Sequence, residues 1–370
     1  MSAVAHRLVR RGLEASSARL APSHGDNGSN EDTARQISAF ALLTFAVTAI
    51  GFGLVAFAIQ YTYGTVVGVL ASVEDPQPDI YTPISDSEDS AKNPKLTGPE
   101  TPSAQPAPIT RSLRSTILHL RARAGPWSRF RGLGLFLCTA ICRSILAEVL
   151  TFGTVDFGLL ESCGEIASDV LTATLELAWV HIVISEPSTK RFWKRVPGYS
   201  SWVQIAPAVA LRSAASQLSL VLPAQLGLRL IVWPVNQNHS FADPDRDNAA
   251  DIATAMGVLA LSIILTILVE IPATVTMIRV AASILPQEEN TIVPFDRTFG
   301  GKVQPAVLGG SGKVGLLDAW KTFTWPSRVR LMKVLAKTFA ILTVVSFTFA
   351  FVFVGEAMFF GKQILSFTQG

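Results

Sequence analysis

A long apolar run near the start constrains this chain most. Residues 37–59 read ISAFALLTFAVTAIGFGLVAFAI and contain no charged side chain. A bilayer core of about 30 Å is crossed by about 20 apolar residues in a helix. Apolar character continues to Val73, and Tyr61 and Tyr63 are of the type found at membrane interfaces. We therefore predict a first transmembrane helix with an extension over residues 37–74.

Composition agrees with a membrane protein. Charged residues make up 16% of the chain and hydrophobic residues 49%, whereas soluble domains carry about 25% charged residues. The net charge of +3 is too small to argue for a nucleic-acid partner. The lipid bilayer is therefore the expected partner, with anionic lipids at basic loops as a further one.

Five more apolar segments follow. They are residues 132–153, Ile166–Ser185, Val203–Trp233, residues 252–278 and Val334–Phe360. The chain is thus predicted to be all-α, a polytopic transmembrane helical bundle of about six spans, with spans two to four in 132–233 and spans five and six in 252–360. Spans two to four carry charges, which leaves an interfacial position open for one of them.

Polar segments separate and flank these spans. Residues 1–36 form a polar tail without the apolar core of a secretory signal, although its Arg-rich, acid-poor start resembles a mitochondrial transit peptide. Residues 75–110 are rich in Pro, Ser and acids and are predicted to be a disordered linker. Within the linker, the serines beside acids are candidates for phosphorylation: Ser85, Ser87 and Ser90.

A basic segment follows the linker. Over residues 111–131 arginines alternate with leucine and isoleucine, which predicts an amphipathic helix lying on a membrane surface. We expect this helix to end near Gly125 and Pro126, with Trp127 among the lipid headgroups.

Loop charges alternate along the chain. The first, third and fifth loops are rich in Lys and Arg, whereas the second loop and the fourth, residues 234–251, are acidic. Because cytoplasmic loops collect Lys and Arg, we place the odd loops in the cytosol and the even loops and both termini in the lumen. Asn238 begins an N-x-S acceptor for glycosylation in the fourth loop. An endomembrane, vacuolar or plasma membrane is favoured, with a mitochondrial membrane as the alternative.

Among the ionisable residues within the apolar segments, five are candidates for a functional role at membrane depth: Arg143, Glu148, Glu176, Arg212 and Glu270. Such groups are costly in lipid and usually face the interior of a bundle. Two interpretations stay open for them, a permeation or proton pathway and structural ion pairs between helices.

No catalytic or cofactor-binding pattern is present. Cys138, Cys142 and Cys163 form no CxxC, and the five histidines have no metal-ligand spacing. The segment LGGSGK, residues 308–313, lacks the first glycine of a phosphate loop and is predicted to be a flexible linker. We expect no cofactor, no metal and no enzymatic activity.

Two stretches share a weak repeat. In each, an apolar helix end beginning TAT or PAT leads to a proline-containing segment and then to an aromatic, basic segment, near residues 172–197 and 272–301. This pattern predicts duplicated helix hairpins, with chance similarity of apolar helices as the alternative.

Several segments resemble a family of fungal multi-pass membrane proteins. They are YTYGTVVGVLASVEDP (61–76), RSTILHLRARAGPWSRFRGL (114–133), HIVISEPSTKRFWKRVP (181–197) and RVAASILPQEENTIVPFDRTFGG (279–301). Members are often labelled ubiquitin carrier or ubiquitin-conjugating proteins. The resemblance implies a membrane topology, but this sequence has no HPN motif, and its cysteines lie in or near apolar segments. We therefore do not extend that activity to this chain.

Three functions remain after this reading. The first is a non-enzymatic adaptor or organiser that works through the basic cytosolic loops, and the second is a transporter that uses the buried Glu and Arg residues. An intramembrane enzyme comes last, because the sequence shows no catalytic set.

Overall fold

The computed structural model describes residues 28–75, 108–151, 158–188, 195–232, 248–303, 310 and 312–368. The predicted phosphorylation sites Ser85, Ser87 and Ser90 and the glycosylation site Asn238 lie outside these residues. So do most of the polar tail, of the 75–110 linker and of the 234–251 loop.

The described residues are helical, apart from the connections between helices, of which residues 284–303 are the longest, and one isolated antiparallel bridge between Ser185 and Thr291. The α-helices are α1 (Gly28–Ile59), α2 (Val67–Val73), α3 (Leu113–Ala124), α4 (Leu133–Leu150), α5 (Leu159–Leu171), α6 (Ala173–Ile184), α7 (Tyr199–Gly227), α8 (Asn248–Leu265), α9 (Ile271–Ser283), α10 (Leu316–Lys321) and α11 (Trp325–Thr368). Three π-helical segments continue α1, α7 and α8: Gln60–Val66, Leu228–Val232 and Thr266–Glu270.

Within these described ranges, five helical stretches are long and apolar enough to cross a membrane. They are Phe40–Val73, Pro126–Leu150, Tyr199–Leu230, Ala250–Ser283 and Trp325–Phe360. The predicted all-α, membrane-spanning class is confirmed. The count reaches the predicted six when Leu160–Leu171 and Ala173–Ile184 are taken as one span.

That sixth stretch is bent by 57° between α5 and α6. The bend falls at Thr172, whose hydroxyl donates to the carbonyl of Ser168 at 2.8 Å and approaches that of Asp169 at 3.2 Å. Threonine hydroxyls that bond back to the preceding turn often bend helices. The sequence predicted one continuous segment here, because hydropathy does not register such a bend.

The chain divides into two compact units, of which the first comprises Met1–Gln60 and Lys337–Gly370. Aromatic rings join α1 to the later part of α11 within this unit. Phe52 stacks on Phe349 with 4.2 Å between ring centroids, and Phe45 lies 5.0 Å from Phe353. Large apolar side chains on these helices are exposed, as expected of helices that face lipid.

The second unit comprises Tyr61–Ala336 and contains the main buried core. Tyr61, expected at a membrane interface, is instead 1% exposed. Its hydroxyl donates to the carbonyl of Arg131 and lies 3.2 Å from the indole nitrogen of Trp179. The end of the first predicted span is thus covered by protein, because the ring packs edge-on against Phe136.

The first, third and fifth loops meet at one end of the second unit. The backbone N–H of Asp75 donates to the carbonyl of Pro294 at 3.1 Å, and that of Glu186 in the third loop donates to the carbonyl of Asn290 at 2.8 Å. Charge counting placed these three loops on a common side, and the hydrogen bonds bring them together. We call this region the loop end of the unit.

The basic segment 111–131 also belongs to the loop end. Helix α3 ends at Ala124, as predicted, and Gly125 follows with φ of +81°. However, Leu120 is fully buried, and the His119 ring nitrogen lies 2.9 Å from the carbonyl of Ile292. The expectation that this helix lays its apolar face on a membrane is therefore wrong for these residues, which pack on the protein.

The end of the segment expected to be a flexible linker is fixed. Lys313 donates from Nζ to the carbonyl of Gln204 at 3.0 Å, and the N–H of Val314 donates to the hydroxyl of Ser283 at 3.1 Å. Residues 304–309 and 311 lie outside the described part. Lys313 thus joins the fifth loop to α7, and the prediction of a flexible linker is corrected at this position.

The two repeat-like stretches lie side by side. Helices α6 and α9 are buried over most of their length, and His181 of α6 bonds the carbonyl of Ala281 in α9 at 2.9 Å. In a duplicated pair of hairpins, α6 and α9 would be equivalent helices, and their packing side by side agrees with that arrangement. The duplication itself stays a prediction.

Candidate functional site

Four charged side chains, which belong to the second, third and fourth predicted spans, form one ion network. Arg143 of α4 lies 3.0 Å from Asp169 of α5, and Arg212 of α7 lies 3.0 Å from Glu176 of α6. Asp169 also lies 3.5 Å from Arg212, which joins the two pairs. Two arginines thus face two carboxylates, so the network carries no net charge when all four groups are ionised.

The bend positions both carboxylates of the network. Asp169 and Glu176 lie on either side of Thr172 and are separated by seven residues, a spacing that brings side chains to one face of a helix. Asp169 is 8% exposed and contacts both arginines, yet it was not among the predicted site residues. The seven-residue spacing to Glu176 was the signal in the sequence that could have found it.

Glu148 does not join this network. The structure places it on the exposed side of α4, near the exposed Ile145 and Val149. Only three of the five predicted residues, Arg143, Glu176 and Arg212, therefore come together. The expectation that Glu148 faces the interior of the bundle is wrong.

Glu270 forms a separate site with hydroxyl groups. One carboxylate oxygen accepts from Ser219 at 2.8 Å, and the carboxylate also lies 3.4 Å from the hydroxyls of Ser216 and Thr266. Ser216 and Ser219 belong to α7, and Thr266 begins the π-helical segment that ends at Glu270. Pro272 follows two residues later, so the helix is irregular at the carboxylate.

The loop end holds a cluster of buried charges that sequence analysis missed. Glu74 is 2% exposed; it accepts from the N–H of Ile109 and from the N–H and hydroxyl of Thr110, and lies 3.7 Å from Arg330. Arg279 is 7% exposed and donates to the carbonyls of Ala319 and Ser72. These contacts join the first, fifth and sixth predicted spans and serve the packing of the loop end.

Backbone acceptors hold two further arginines at the loop end. Arg131 donates to the carbonyls of Ile182 and Ser185, at the C-terminal end of α6. Arg297 donates to the carbonyls of Pro286 and Glu289, and burial lowers the pKa of its guanidinium. Cations at a helix C-terminus are favoured by the helix dipole.

The outer surface of the loop end is basic and aromatic. Arg111, Arg114 and Arg121 are exposed around α3. Trp127, which precedes α4, Tyr199, which begins α7, and Trp325, which begins α11, are between 72% and 78% exposed. Aromatic residues of this kind are enriched where helices leave the hydrocarbon. We call these arginines and aromatic residues the basic rim.

No metal centre is built from the described side chains, which contain no group of three or more His, Cys, Asp or Glu residues able to hold an ion. Cys138 and Cys163 are free and exposed, and Cys142 is free and half-buried. No family, no curated protein and no solved structure matches the chain. The fungal membrane-protein resemblance therefore stays a prediction.

Proposed function

We propose that this chain is a non-enzymatic integral membrane protein that acts as an adaptor or organiser in an endomembrane through its basic cytosolic loops. One observation carries the proposal: the basic rim is displayed on a packed and hydrogen-bonded platform. Buried side chains and hydrogen bonds hold the backbone of the loop end in place, while the arginines of the basic rim stay exposed. Such a surface suits recognition of an anionic partner.

The platform under the rim is rigid. Helix α3 begins at Ser112, whose side chain accepts from the N–H of Ser115 at 3.1 Å as an N-cap. Leu120 and His119 then fix one side of the helix on the core. The backbone that carries Arg114 and Arg121, on its exposed side, is therefore held in place by the core.

Anionic lipid headgroups are the partner that the rim fits best. Trp127, Tyr199 and Trp325 mark the level at which the apolar helices end, which is where headgroups lie. A Lys or Arg near an anionic membrane surface contributes about 1 kcal/mol of binding. Headgroups beside the spans could therefore contact the exposed arginines without any movement of the chain.

The test compares the lipids retained by the full chain after reconstitution in bilayers of mixed phosphatidylcholine and phosphatidylserine. Lipid mass spectrometry should find phosphatidylserine enriched around the wild-type protein. Replacing Arg114 and Arg121 together by glutamine should weaken that preference by about 2 kcal/mol, roughly thirtyfold. High salt should reduce it as well, because exposed charges are screened.

Arg229→Gln provides the control, because Arg229 is exposed near the end of α7, adjacent to the fourth loop. This variant should retain the wild-type lipid preference. Equal enrichment in the wild type and in the Arg114→Gln/Arg121→Gln variant would reject the proposal.

A second candidate function, transport, is favoured by Glu270 alone. The carboxylates of the ion network face arginines, which fits the structural interpretation of those residues. Glu270 faces neutral hydroxyls instead. An intramembrane carboxylate of this kind is the group that an ion-coupled transporter requires.

A further inference from the structure

Glu270 lies in the most apolar of the candidate spans, Ala250–Ser283. The side chains around it are typical of a lipid-facing surface, with Ile267 and Leu268 exposed on the same helix and Leu218 and Leu220 exposed on α7. An ionised carboxylate at such a depth carries a large desolvation cost unless a positive charge neutralises it.

None of the described basic side chains forms an ion pair with Glu270. Asp169 and Glu176, which also lie in a predicted span, are each paired with arginine. A cation bound from solution would supply the positive charge that the described side chains do not provide. The distances to the neighbouring oxygen atoms bear on this possibility.

The hydroxyl oxygens around the Glu270 carboxylate lie at two different distances from it. The hydroxyl of Ser219 lies at 2.8 Å, a normal hydrogen bond. The hydroxyls of Ser216 and Thr266 lie at 3.4 Å, beyond the usual range for O–H···O bonds. Two oxygens that bind one cation at about 2.4 Å and at right angles are about 3.4 Å apart. A larger cation would hold them farther apart.

The backbone around these oxygens is irregular in both helices. Thr266–Glu270 is π-helical, and π segments inside α-helices are frequent at functional sites. In α7, Pro223 lacks an N–H, so the carbonyl of Ser219 loses its normal helical donor. The hydroxyl of Ser262 lies 3.5 Å from that carbonyl. Discontinuous membrane helices coordinate sodium ions with oxygens freed in this way.

We infer that Glu270, Ser216, Ser219 and Thr266 form a binding site for one monovalent metal cation, with the size of sodium. One carboxylate balances one positive charge, whereas a divalent ion would leave an uncompensated charge among apolar side chains. The all-oxygen donor set suits a hard cation and not zinc or copper. The site depends on neither the organising function nor transport.

The experiment measures thermal unfolding of the full chain in a neutral detergent while sodium chloride replaces choline chloride at constant ionic strength. A ligand that binds only the folded state raises its stability with concentration. We expect a saturable rise of the melting temperature with sodium. Ser216→Ala should raise the apparent Kd for sodium about tenfold, because it removes one of the two hydroxyl oxygens that lie 3.4 Å from the carboxylate.

Two matched variants serve as controls. Ser213 also belongs to α7, and its hydroxyl is buried and has no hydrogen-bond partner among the described residues. Ser213→Ala therefore removes a serine hydroxyl of the same helix that does not contact Glu270. Glu148→Gln neutralises an exposed glutamate within another span. Both should keep the response to sodium, whereas Glu270→Gln should abolish it.

Three outcomes would overturn the inference. They are stabilisation by sodium no greater than that by choline, a sodium response retained in Glu270→Gln, and stability that follows pH and not the sodium concentration. If Glu270→Gln does not fold, the sodium titrations of Ser216→Ala and Ser213→Ala decide, and equal affinities would reject the site.

Discussion

Replacing Glu74 by alanine should strongly destabilise the second unit. The side chain is 1% exposed and accepts hydrogen bonds from the N–H of Thr110 at 3.0 Å and from the N–H of Ile109. Arg330, also nearly buried, lies 3.7 Å from its carboxylate. The substitution removes all these acceptor contacts at once and takes away the carboxylate that pairs with Arg330.

The magnitude follows from the burial of both partners. Breaking a buried ion pair by removing one member costs about 3–5 kcal/mol. Part of this cost comes from the Arg330 charge that loses its carboxylate partner, and part from the donors of Ile109 and Thr110 that lose their acceptor. We therefore expect the Glu74→Leu/Arg330→Met double variant to be more stable than Glu74→Ala but to stay about 1–3 kcal/mol below the wild type, because these donors remain unpaired.

The assay is thermal unfolding of the purified full chain in detergent, followed by intrinsic tryptophan fluorescence. For a unit of this size, 3–5 kcal/mol corresponds to a Tm lower by roughly 6–20 °C. The double variant should recover part of that loss. If Glu74→Ala lowers Tm by only 1–2 °C, or if the double variant is no better than Glu74→Ala, the reasoning from buried charge is refuted.

Three other predictions test the packing and the orientation of the chain. Gly132→Ala should cost more stability than Gly125→Ala in the same assay, because both have positive φ but only a Cβ at Gly132 would meet Trp179, at 3.0 Å; equal losses would contradict this. Arg279→Lys should destabilise the unit by about 2 kcal/mol, because lysine cannot reproduce the three directed bonds of the guanidinium; an unchanged Tm would count against it. An endoglycosidase-sensitive gel shift that Asn238→Gln removes should show the fourth loop to be lumenal, whereas the absence of a shift would favour the inverted or mitochondrial alternatives.

The sequence by itself determined the class of the protein and most of its spans. A transmembrane helix is a local property, because about 20 consecutive apolar residues suffice to predict it. The sequence also predicted that the first, third and fifth loops lie on one side, because their Lys and Arg residues can be counted along the chain. Hydrogen bonds join these loops at the loop end. The end of α3 at Ala124 followed from the local Gly-Pro signal.

Only the tertiary structure decided how charged and polar groups are paired. Asp169 joins two arginines because α4, α5 and α7 come together around the bend at Thr172. Glu148 and Glu270 are both single glutamates within apolar segments of the sequence. Glu148 is exposed, whereas Glu270 accepts a hydrogen bond from a serine hydroxyl of α7. Hydropathy describes one helix at a time, whereas the partner of a buried charge depends on which helix lies opposite it.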